Sequence, residues 1–347
     1  MKRAPIPAVA LAIALLAVAL GLAACGEKSE SLNGEAQPFT LTLDFYPNPD
    51  HAGIYMAQKL GYFEEAGLDV TIQTPSDPAA PIKQVAAGRS DLAISYEPEV
   101  ILAREQGLDV QAVAALVNRP LTSMIWLKKS GIQGVADLRG KTVATAGIPY
   151  QDAYLKTILA RVKLQPSDVE AVNVGFGLLP AILGGRAQAM LGGFSNVEGV
   201  DLRLRGKDPV VTPVDKLGVP TYDELVLVAK REQLDADPQA IRLFIAALAR
   251  GTAAAASNPD AAAKALLEAN SDLDPELTKA ELAVTLPLLN ARRPGSDPSS
   301  SARPYGFMNP IEWARFSGWM RDNELIDGLP ATASLLSNDY LPGAIPE

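Results

Sequence analysis

The fold is decided by residues 39–95, which read FTLTLDFYPNPDHAGIYMAQKLGYFEEAGLDVTIQTPSDPAAPIKQVAAGRSDLAIS. Three short runs here are rich in β-branched and apolar residues, and two segments with helical spacing separate them. The pattern predicts strands at Thr40 to Phe45, Asp69 to Thr74 and Leu92 to Ser95, with helices at Ala52 to Ala66 and Pro81 to Ala87 between them. This β-α-β-α-β order is typical of a parallel sheet covered by helices.

The alternation continues and then starts a second time. A helix at Glu99 to Gln106 and a strand at Val110 to Val117 extend the first series. The second series has three strands separated by two helices, in the order Lys141 to Thr145, Asp152 to Val162, Val169 to Val174, Leu178 to Leu183 and Ala187 to Gly192. Two series predict an α/β protein with two lobes, each a mainly parallel sheet flanked by helices.

Two extended segments flank the second series, Thr122 to Leu127 and Glu224 to Ala229, and we expect the chain to cross between the lobes there. The second lobe is then inserted into the first. Residues 39–121 and 226–347 are predicted to form lobe I, and residues 122–225 to form lobe II. The Ala- and Leu-rich helical patterns after Ala229 are expected to complete lobe I.

The amino terminus has the pattern of a lipoprotein signal. Two basic residues precede an uncharged stretch over residues 4–24, which ends in Leu22-Ala23-Ala24-Cys25. A transmembrane helix is the alternative, because the stretch approaches the roughly 20 residues that a span requires. That alternative leaves the small residues before the cysteine unexplained. We predict a signal peptide over residues 1–24, a lipid on Cys25 and a polar tether over residues 25–38. The anchor would hold the protein on the extracytoplasmic side of a cell membrane, at the outer face or in the periplasm.

Composition excludes several classes of protein. Cys25 is the only cysteine and His51 the only histidine, so thiolate metal sites, zinc catalysis and histidine-dependent triads lack parts. Lys2 and Arg3 are two of the 31 basic residues, so the chain after the signal has 29 basic and 40 acidic residues, a formal charge of −11. Nucleic-acid binding would need a basic face. We expect no nucleic acid, no metal and no cofactor.

The segment that offers the most chemistry reads DFYPNPDHAGIY at positions 44–55. It leaves the carboxyl end of a predicted strand and enters a helix, at the edge where ligands bind in open α/β sheets. A carboxylate, two aromatic rings, an amide and an imidazole fall within eight positions. The alternative is a turn in which Asp50 caps the helix, which accounts for the prolines but not for the other groups. For His51, structural packing and ligand contact both stay open.

This segment resembles the thiamine-pyrimidine precursor branch of the type II periplasmic substrate-binding proteins of ABC transporters, which also includes the fungal pyrimidine synthases. The branch has a strand, a Pro-Asn-x-x-His pattern and a helix, matched here by residues 44–57. Further matches, spread from Phe39 to about Tyr340, are Gly61-Tyr62-Phe63, Gly67-Leu68-Asp69-Val70, Gly88-Arg89-Ser90-Asp91-Leu92-Ala93, Gly140-Lys141-Thr142-Val143, Asn196-Val197-Glu198 and Tyr222-Asp223-Glu224-Leu225-Val226. The resemblance implies a periplasmic-binding-protein clamshell with the ligand between its lobes.

Carried over by position, the resemblance also implies which residues line the cleft. They are Asp44, Phe45, Tyr46, Asn48, His51, Ser95, Tyr96 and Glu97 on one side, and Gly147, Tyr150, Phe194, Asn196, Glu198, Tyr222 and Glu224 on the other. Phe45 stands where the family often has a tryptophan, so ring stacking is retained while the identity of the ligand stays open. Each group also has a structural alternative: Phe45 and Phe194 as core aromatics, Glu198 as a solvated helix residue, and Tyr96 and Glu97 as the start of a helix.

An enzyme is the rival function, because the fungal synthases use a lysine that holds pyridoxal phosphate and a histidine four residues later. Aligned through Gly88 to Ala93, these positions are Ser95 and Glu99. The cysteine-rich segment of those enzymes is also absent. We therefore predict a binding protein without catalysis.

The predicted cargo is a thiamine pyrimidine precursor of the formylaminopyrimidine or hydroxymethylpyrimidine type. Riboflavin-like or other aromatic rings stay open as alternatives. A sulfonate or nitrate is a poorer match, because Asp44, Glu97 and Glu198 would repel an anion. The implied partners are the small-molecule ligand, an ABC permease with its ATPase, and the membrane through the lipid on Cys25. We expect a monomer.

Overall fold

The chain is represented by a computed structural model that describes residues 36–289 and 303–343. The predicted signal peptide, Cys25 and most of the predicted tether lie outside these residues. The described part contains ten strands, numbered in chain order: β1 Gln37–Thr42, β2 Leu68–Gln73, β3 Leu92–Ser95, β4 Val110–Val117, β5 Thr122–Leu127, β6 Thr142–Thr145, β7 Glu170–Asn173, β8 Ala189–Phe194, β9 Pro209–Pro213 and β10 Leu225–Lys230.

The same residues form thirteen α-helices: α1 Ala52–Lys59, α2 Tyr62–Glu65, α3 Pro81–Ala86, α4 Glu97–Glu105, α5 Gln151–Ala160, α6 Leu178–Leu183, α7 Glu198–Leu204, α8 Arg231–Ala236, α9 Pro238–Ser257, α10 Pro259–Ala269, α11 Pro275–Leu289, α12 Pro310–Asp322 and α13 Thr332–Leu335. Single turns of 3₁₀ helix lie at Pro49–His51, Lys128–Ser130, Val135–Leu138, Pro166–Asp168 and Val214–Lys216.

The strands form two five-stranded sheets. The order is β2-β1-β3-β10-β4 in the first sheet and β7-β6-β8-β5-β9 in the second. Four strands of each sheet run parallel, while β10 and β5 run antiparallel to their neighbours. The predicted fold class, an α/β clamshell with two mainly parallel sheets flanked by helices, is confirmed. We call the first sheet with its helices lobe I, and the second with its helices lobe II.

The two reversed strands are the segments in which the sequence predicted the lobe crossings. All six residues of β5, including Thr122 and Ser123, and the first five of β10 are buried. Each segment is therefore an inner strand of a sheet, and the chain passes between the lobes in residues 118–121 and 214–224. The residue bounds of the lobes given from the sequence stay a prediction.

The helix predicted from Ala52 to Ala66 is broken, so that prediction was wrong. Helix α1 ends at Lys59 and α2 begins at Tyr62, because Gly61 between them has a φ of 72°. Glycine adopts this left-handed conformation without the steric penalty of a Cβ atom. The first strand also ends earlier than predicted, and the polar loop begins directly at the carboxyl edge of the sheet.

Helix α9 fixes the helix that follows the polar loop. A Cβ atom on Gly251 would lie 2.2 Å from the Gly53 carbonyl oxygen, so α9 and α1 approach at a distance that only glycine permits. Phe244 of α9 stacks between Phe39 and Phe63, with ring centroids 5.1 and 4.8 Å away. Among the described helices, α9 is the one long and apolar enough to cross a membrane, but half of that stretch is buried in the core.

A buried carboxylate joins the two crossings. Glu224 precedes β10 and accepts hydrogen bonds from the backbone N–H groups of Leu121 and Thr122 at 2.6 and 2.7 Å. It also accepts from the Thr122 hydroxyl at 2.8 Å and from the Tyr222 hydroxyl at 3.0 Å. Burial raises the pKa of Glu224 to about 7, against the hydrogen bonds from Thr122 and Leu121 that lower it. This carboxylate holds the first crossing beside the second.

We expect Glu224→Ala to lower the free energy of unfolding by about 2 to 4 kcal/mol, because it leaves buried N–H and O–H donors without an acceptor. Urea unfolding of the two proteins measures the difference. Glu232→Ala, which removes an exposed carboxylate from an ion pair with Lys230, is the matched control and should leave the unfolding midpoint unchanged. Equal midpoints for all three proteins would show that Glu224 does not hold the crossings.

Candidate functional site

A pocket lies between the two lobes, at the carboxyl edges of both sheets. Lobe I supplies Phe45, Asn48, Pro78 and Tyr96. Lobe II supplies Ala146, Ile148, Leu178, Gly192, Phe194, Val197 and Glu198. These residues follow or end parallel strands, where open α/β sheets bind ligands. Five of the residues predicted from the sequence therefore line one pocket: Phe45, Asn48, Tyr96, Phe194 and Glu198.

The Asn48 side chain shapes the loop that carries the lobe I residues. Its Oδ1 accepts from the Asp50 backbone N–H at 2.8 Å, and its Nδ2 donates to the Tyr46 carbonyl at 3.0 Å. Pro49 begins the 3₁₀ turn, where its fixed φ suits the first helical position. Asn48 is thus bound on both sides by its own loop while it also lines the pocket.

His51 and Asp44 lie behind the pocket rather than on its surface. The His51 Nδ1 accepts from the Asn48 backbone N–H at 3.2 Å, so Nε2 carries the proton and donates to Asp44 Oδ1 at 2.9 Å. The second oxygen of Asp44 accepts from the Tyr96 hydroxyl at 3.0 Å. His51 is fully buried and Asp44 is 1% exposed. Together they orient Tyr96, which does line the pocket.

Glu198 is the carboxyl group on the pocket wall. It begins α7 and is half-buried, and its Oε2 accepts from the Phe194 backbone N–H at 2.6 Å. Burial raises the pKa of Glu198 to about 7, while backbone hydrogen bonds from Phe194 and from its own N–H lower it. A carboxyl group held in this way can accept hydrogen bonds from a ligand amine without reorientation.

Aromatic rings from both lobes meet beside the pocket. Phe176, in the loop between β7 and α6, lies 4.5 Å from Phe45 and 4.4 Å from Tyr46, measured between ring centroids. Tyr46 is 48% exposed at this contact. Phe176 was not predicted from the sequence. The signal that could have found it is an aromatic residue between two glycines, directly after a predicted strand.

Four tyrosines form a chain of ring contacts from the pocket to the crossings. Ring centroids are 5.9 Å apart from Tyr96 to Tyr150, 5.0 Å from Tyr150 to Tyr154 and 5.7 Å from Tyr154 to Tyr222. Burial raises the pKa of each phenol well above its ordinary value, so the rings are neutral. Tyr150 and Tyr222 are both buried, and the Tyr222 hydroxyl donates a hydrogen bond to Glu224 at the crossings.

The remaining predicted residues are held by other groups of the protein. The Ser95 hydroxyl donates to Glu99 at 2.7 Å, and Glu97 accepts from the Asp223 backbone N–H at 2.6 Å. Asn196 bonds across the lobes, as described below. These three side chains are therefore not on the pocket lining.

The pocket lining also includes six residues that were not predicted from the sequence. Most are apolar and carry no chemical signature, including Pro78, Leu178 and Val197. Among the residues that the structure describes, no group of His, Cys, Asp or Glu is placed to hold a metal ion. The pocket combines aromatic and aliphatic walls with one carboxyl group, which suits a flat ring that carries hydrogen-bond donors.

Comparisons with known proteins identify the family of this chain and find solved structures that share its fold. The model of a family described as NMT1/THI5 like matches residues 48–262. A formylaminopyrimidine-binding protein of Halalkalibacterium halodurans is 34% identical over 320 residues, 91% of this chain and 94% of the relative. A putative thiamine biosynthesis protein of Haemophilus influenzae is 37% identical over 254 residues, 73% and 80% of the two chains. A 4-amino-5-hydroxymethyl-2-methylpyrimidine phosphate synthase of Saccharomyces cerevisiae is 26% identical over 250 residues, 69% and 73% of the two chains.

Solved structures support the fold. An alkanesulfonate-binding protein from Xanthomonas axonopodis pv. citri superposes with a TM-score of 0.66 at 17% identity, over 88% of this chain and 99% of that one. The periplasmic nitrate-binding protein from Synechocystis PCC 6803 gives a TM-score of 0.67 at 12% identity, over 88% and 87% of the two chains. At these identities the similarity concerns the fold alone.

A substitution at Gly147 measures how closely the lobe II loop beside Ile148 is packed. Its φ is 76°, and a Cβ atom would lie 2.3 Å from Asn173 Nδ2. We expect Gly147→Ala to lower the free energy of unfolding by about 1 to 3 kcal/mol, through backbone strain and this collision. Gly131 has a φ of 77° with no atom within 4 Å of a Cβ, so Gly131→Ala reports the strain alone. Equal losses in the two variants would mean that Asn173 moves aside freely.

Proposed function

Because this chain belongs to the NMT1/THI5-like family, we propose that it binds a thiamine pyrimidine precursor, of the formylaminopyrimidine or hydroxymethylpyrimidine type, and delivers it to an ABC permease. A substrate-binding role is supported by its relatives, and the periplasmic-binding-protein fold by its structural neighbours. The family resemblance predicted from the sequence is confirmed.

The observation that carries the proposal is the placement of Glu198. A 4-aminopyrimidine presents an exocyclic amine beside a ring nitrogen, and a carboxylate accepts from the amine and from the nitrogen when the ring is protonated. Glu198 lies on the pocket wall together with Phe194. Phe45 and Tyr96 line the facing wall, where an aromatic face can stack on the ring.

Binding without catalysis is part of the proposal. The positions at which the fungal synthases have a lysine and a histidine are Ser95 and Glu99, and these two side chains are buried and bonded to each other at 2.7 Å. Neither can form an imine with an aldehyde cofactor. The named synthase relative is also more distant than the named binding protein, at 26% against 34% identity.

Other cargoes of this fold fit the pocket less well. A sulfonate or nitrate would meet the carboxyl group of Glu198 and no basic side chain on the lining, and like charges repel in a site of low dielectric constant. A neutral or weakly basic nitrogen heterocycle avoids that repulsion.

The membrane arrangement is a proposal that rests on the sequence. A lipid on Cys25 would hold the protein at the extracytoplasmic face, beside a permease that receives the ligand and an ATPase on the other side of the membrane. We propose a monomer in this role, since the pocket is complete within one chain.

The cargo is tested by calorimetry on purified, ligand-stripped protein. We expect a formylaminopyrimidine or a hydroxymethylpyrimidine to bind more tightly than thiamine phosphate, sulfonates or nitrate. Glu198→Ala should weaken this binding by about 2 to 4 kcal/mol, because a desolvated charged hydrogen bond is lost. Glu198→Gln, which keeps an acceptor for the Phe194 N–H, should lie in between.

Glu64→Ala, an exposed carboxylate on α2, is the control and should bind as the natural protein does. No heat with either pyrimidine, alongside clear binding of another ring system, would exclude the cargo and leave the transport role. An unchanged affinity in Glu198→Ala would remove that residue from the site.

The anchor is tested by metabolic labelling with a fatty acid. We expect the natural protein to be labelled and to partition into detergent, and Cys25→Ser to lose both properties, since no other cysteine can carry the lipid. Ser31→Ala, six residues further along the tether, should be labelled normally. Labelling of the Cys25→Ser protein would contradict the lipoprotein assignment.

A further inference from the structure

One side chain of lobe II reaches into lobe I away from the pocket. Asn196, in the turn between β8 and α7, donates through Nδ2 to Asp50 Oδ1 at 2.8 Å and to Thr285 Oγ1 at 2.9 Å. Asp50 lies in the 3₁₀ turn of the lobe I loop, and Thr285 lies on α11, which packs on that turn. All three side chains are buried. These hydrogen bonds exist only while the two lobes are together.

The pair of Asp50 and Asn196 leaves two buried oxygen atoms without partners among the described residues. They are Asp50 Oδ2 and Asn196 Oδ1, and both are acceptors when Asp50 is ionised. A carboxylic acid and a carboxamide can instead pair through two hydrogen bonds, in which the amide N–H donates to one carboxyl oxygen and the other carboxyl oxygen donates to the amide oxygen. The first bond is present, and the atoms of the second are the two that lack partners.

We propose that Asp50, paired with Asn196 as a carboxylic acid, is a latch that holds the lobes closed, so that ligand capture takes up a proton. The proposal rests on the proposed function in one respect, that the lobes close around a ligand. Asp50 is not on the pocket lining, so in this role it acts on lobe closure and not by contact with the ligand.

The surroundings of Asp50 favour the neutral acid. The strongest electrostatic influences on Asp50 come from carboxyls, namely Asp44, Glu224 and Glu198, and Asp50 in turn raises the pKa of Glu281 on α11. The imidazole in the same turn, His51, is bonded to Asp44. The lysines of the neighbouring helices form ion pairs with other carboxylates. Lys59 and Lys264 pair with Glu268, and Lys279 pairs with Asp260. Burial and the charge of Asp44 raise the pKa of Asp50 well above its ordinary value, against the hydrogen bond from Asn196 that lowers it.

Lobe closure is favoured at low pH. When the lobes separate, Asn196 leaves and water reaches Asp50, whose pKa returns toward the ordinary value of about 4. Between that value and the raised pKa of the closed form, closure takes up one proton, and affinity falls up to about tenfold for each unit of rising pH. Below the ordinary pKa the latch is fully present, and above the raised pKa it is lost.

The test is calorimetry of formylaminopyrimidine binding to the protein from residue 36 onward, which is a compact unit. Runs in buffers that differ in ionisation enthalpy, from pH 5.5 to 8.5, count the protons taken up. Glu198 and Glu281 also have raised pKa values, about 7 and about 9, and can contribute to the total proton uptake. The contribution of Asp50 is therefore the difference in uptake between the natural protein and a variant of Asp50. We expect Asp50→Asn, whose amide makes the same two bonds at every pH, to take up about one proton fewer than the natural protein.

Glu99→Gln is the matched control. Burial raises the pKa of Glu99 to about 7, but its hydrogen-bond partner Ser95 and its charged neighbours all lie in lobe I. Proton uptake on binding should therefore match the natural protein. Equal uptake in the natural protein and Asp50→Asn would overturn the latch, whereas absence of binding would instead overturn the proposed cargo.

A ligand-free measurement decides the latch even if formylaminopyrimidine does not bind. Spin labels on Ser76→Cys in lobe I and Ala171→Cys in lobe II, both exposed positions, report the distance between the lobes. In the natural background the short distance should gain population as the pH falls, and in Asp50→Asn its population should not depend on pH. A distance distribution that is independent of pH in the natural background would overturn the proposal.

Discussion

The two crossings between the lobes depend on the carboxylate of Glu224. Donors from two separate segments, the Leu121 and Thr122 backbone and the Tyr222 hydroxyl, converge on its two oxygens in a fully buried site. If either segment shifted, buried donors would lose their acceptor, which costs about 1 to 3 kcal/mol for each group. The crossings therefore stay side by side, and this constraint sets which edges of the two sheets face each other.

The pocket follows from that constraint. In lobe I the strand β1 lies between β2 and β3, and in lobe II the strand β6 lies between β7 and β8. The connection that leaves β1 leads to β2 on one side, and the one that leaves β3 leads to β4 on the other. In lobe II, β6 and β8 likewise lead to β7 and β9 on opposite sides, so an opening forms at these carboxyl ends. The loops that hold Asn48 and Ile148 begin there and meet across the cleft. Hydrogen bonds within each loop hold the polar groups, so little reorganisation is needed when a ring enters.

The alternation of strands and helices could be predicted because its periodicity is local, and the strand Val110 to Val117 was predicted to the residue. The strand Pro209–Pro213 was missed, because flanking prolines suggest a loop although an edge strand accepts them. The break at Gly61 depends on a backbone angle that composition does not report. In the site, Glu198 was found through its motif. The position of His51 behind the pocket depends on its hydrogen bonds with the Asn48 backbone and with Asp44, which only the fold creates.

Four of the carboxyl groups whose pKa burial raises differ in which lobe supplies their donors. Glu99 is bonded within lobe I, Glu198 is held by lobe II backbone, and Glu224 is held by the crossings. Their donors remain when the lobes separate. Asp50 is bonded by a side chain of the opposite lobe, and its other oxygen has no partner within residues 36–289 and 303–343. A carboxyl whose donor arrives only on closure must change its protonation, its partner or both as the lobes move. Proton uptake is thus linked to closure at Asp50, whereas the other three carboxyls serve structure or ligand recognition.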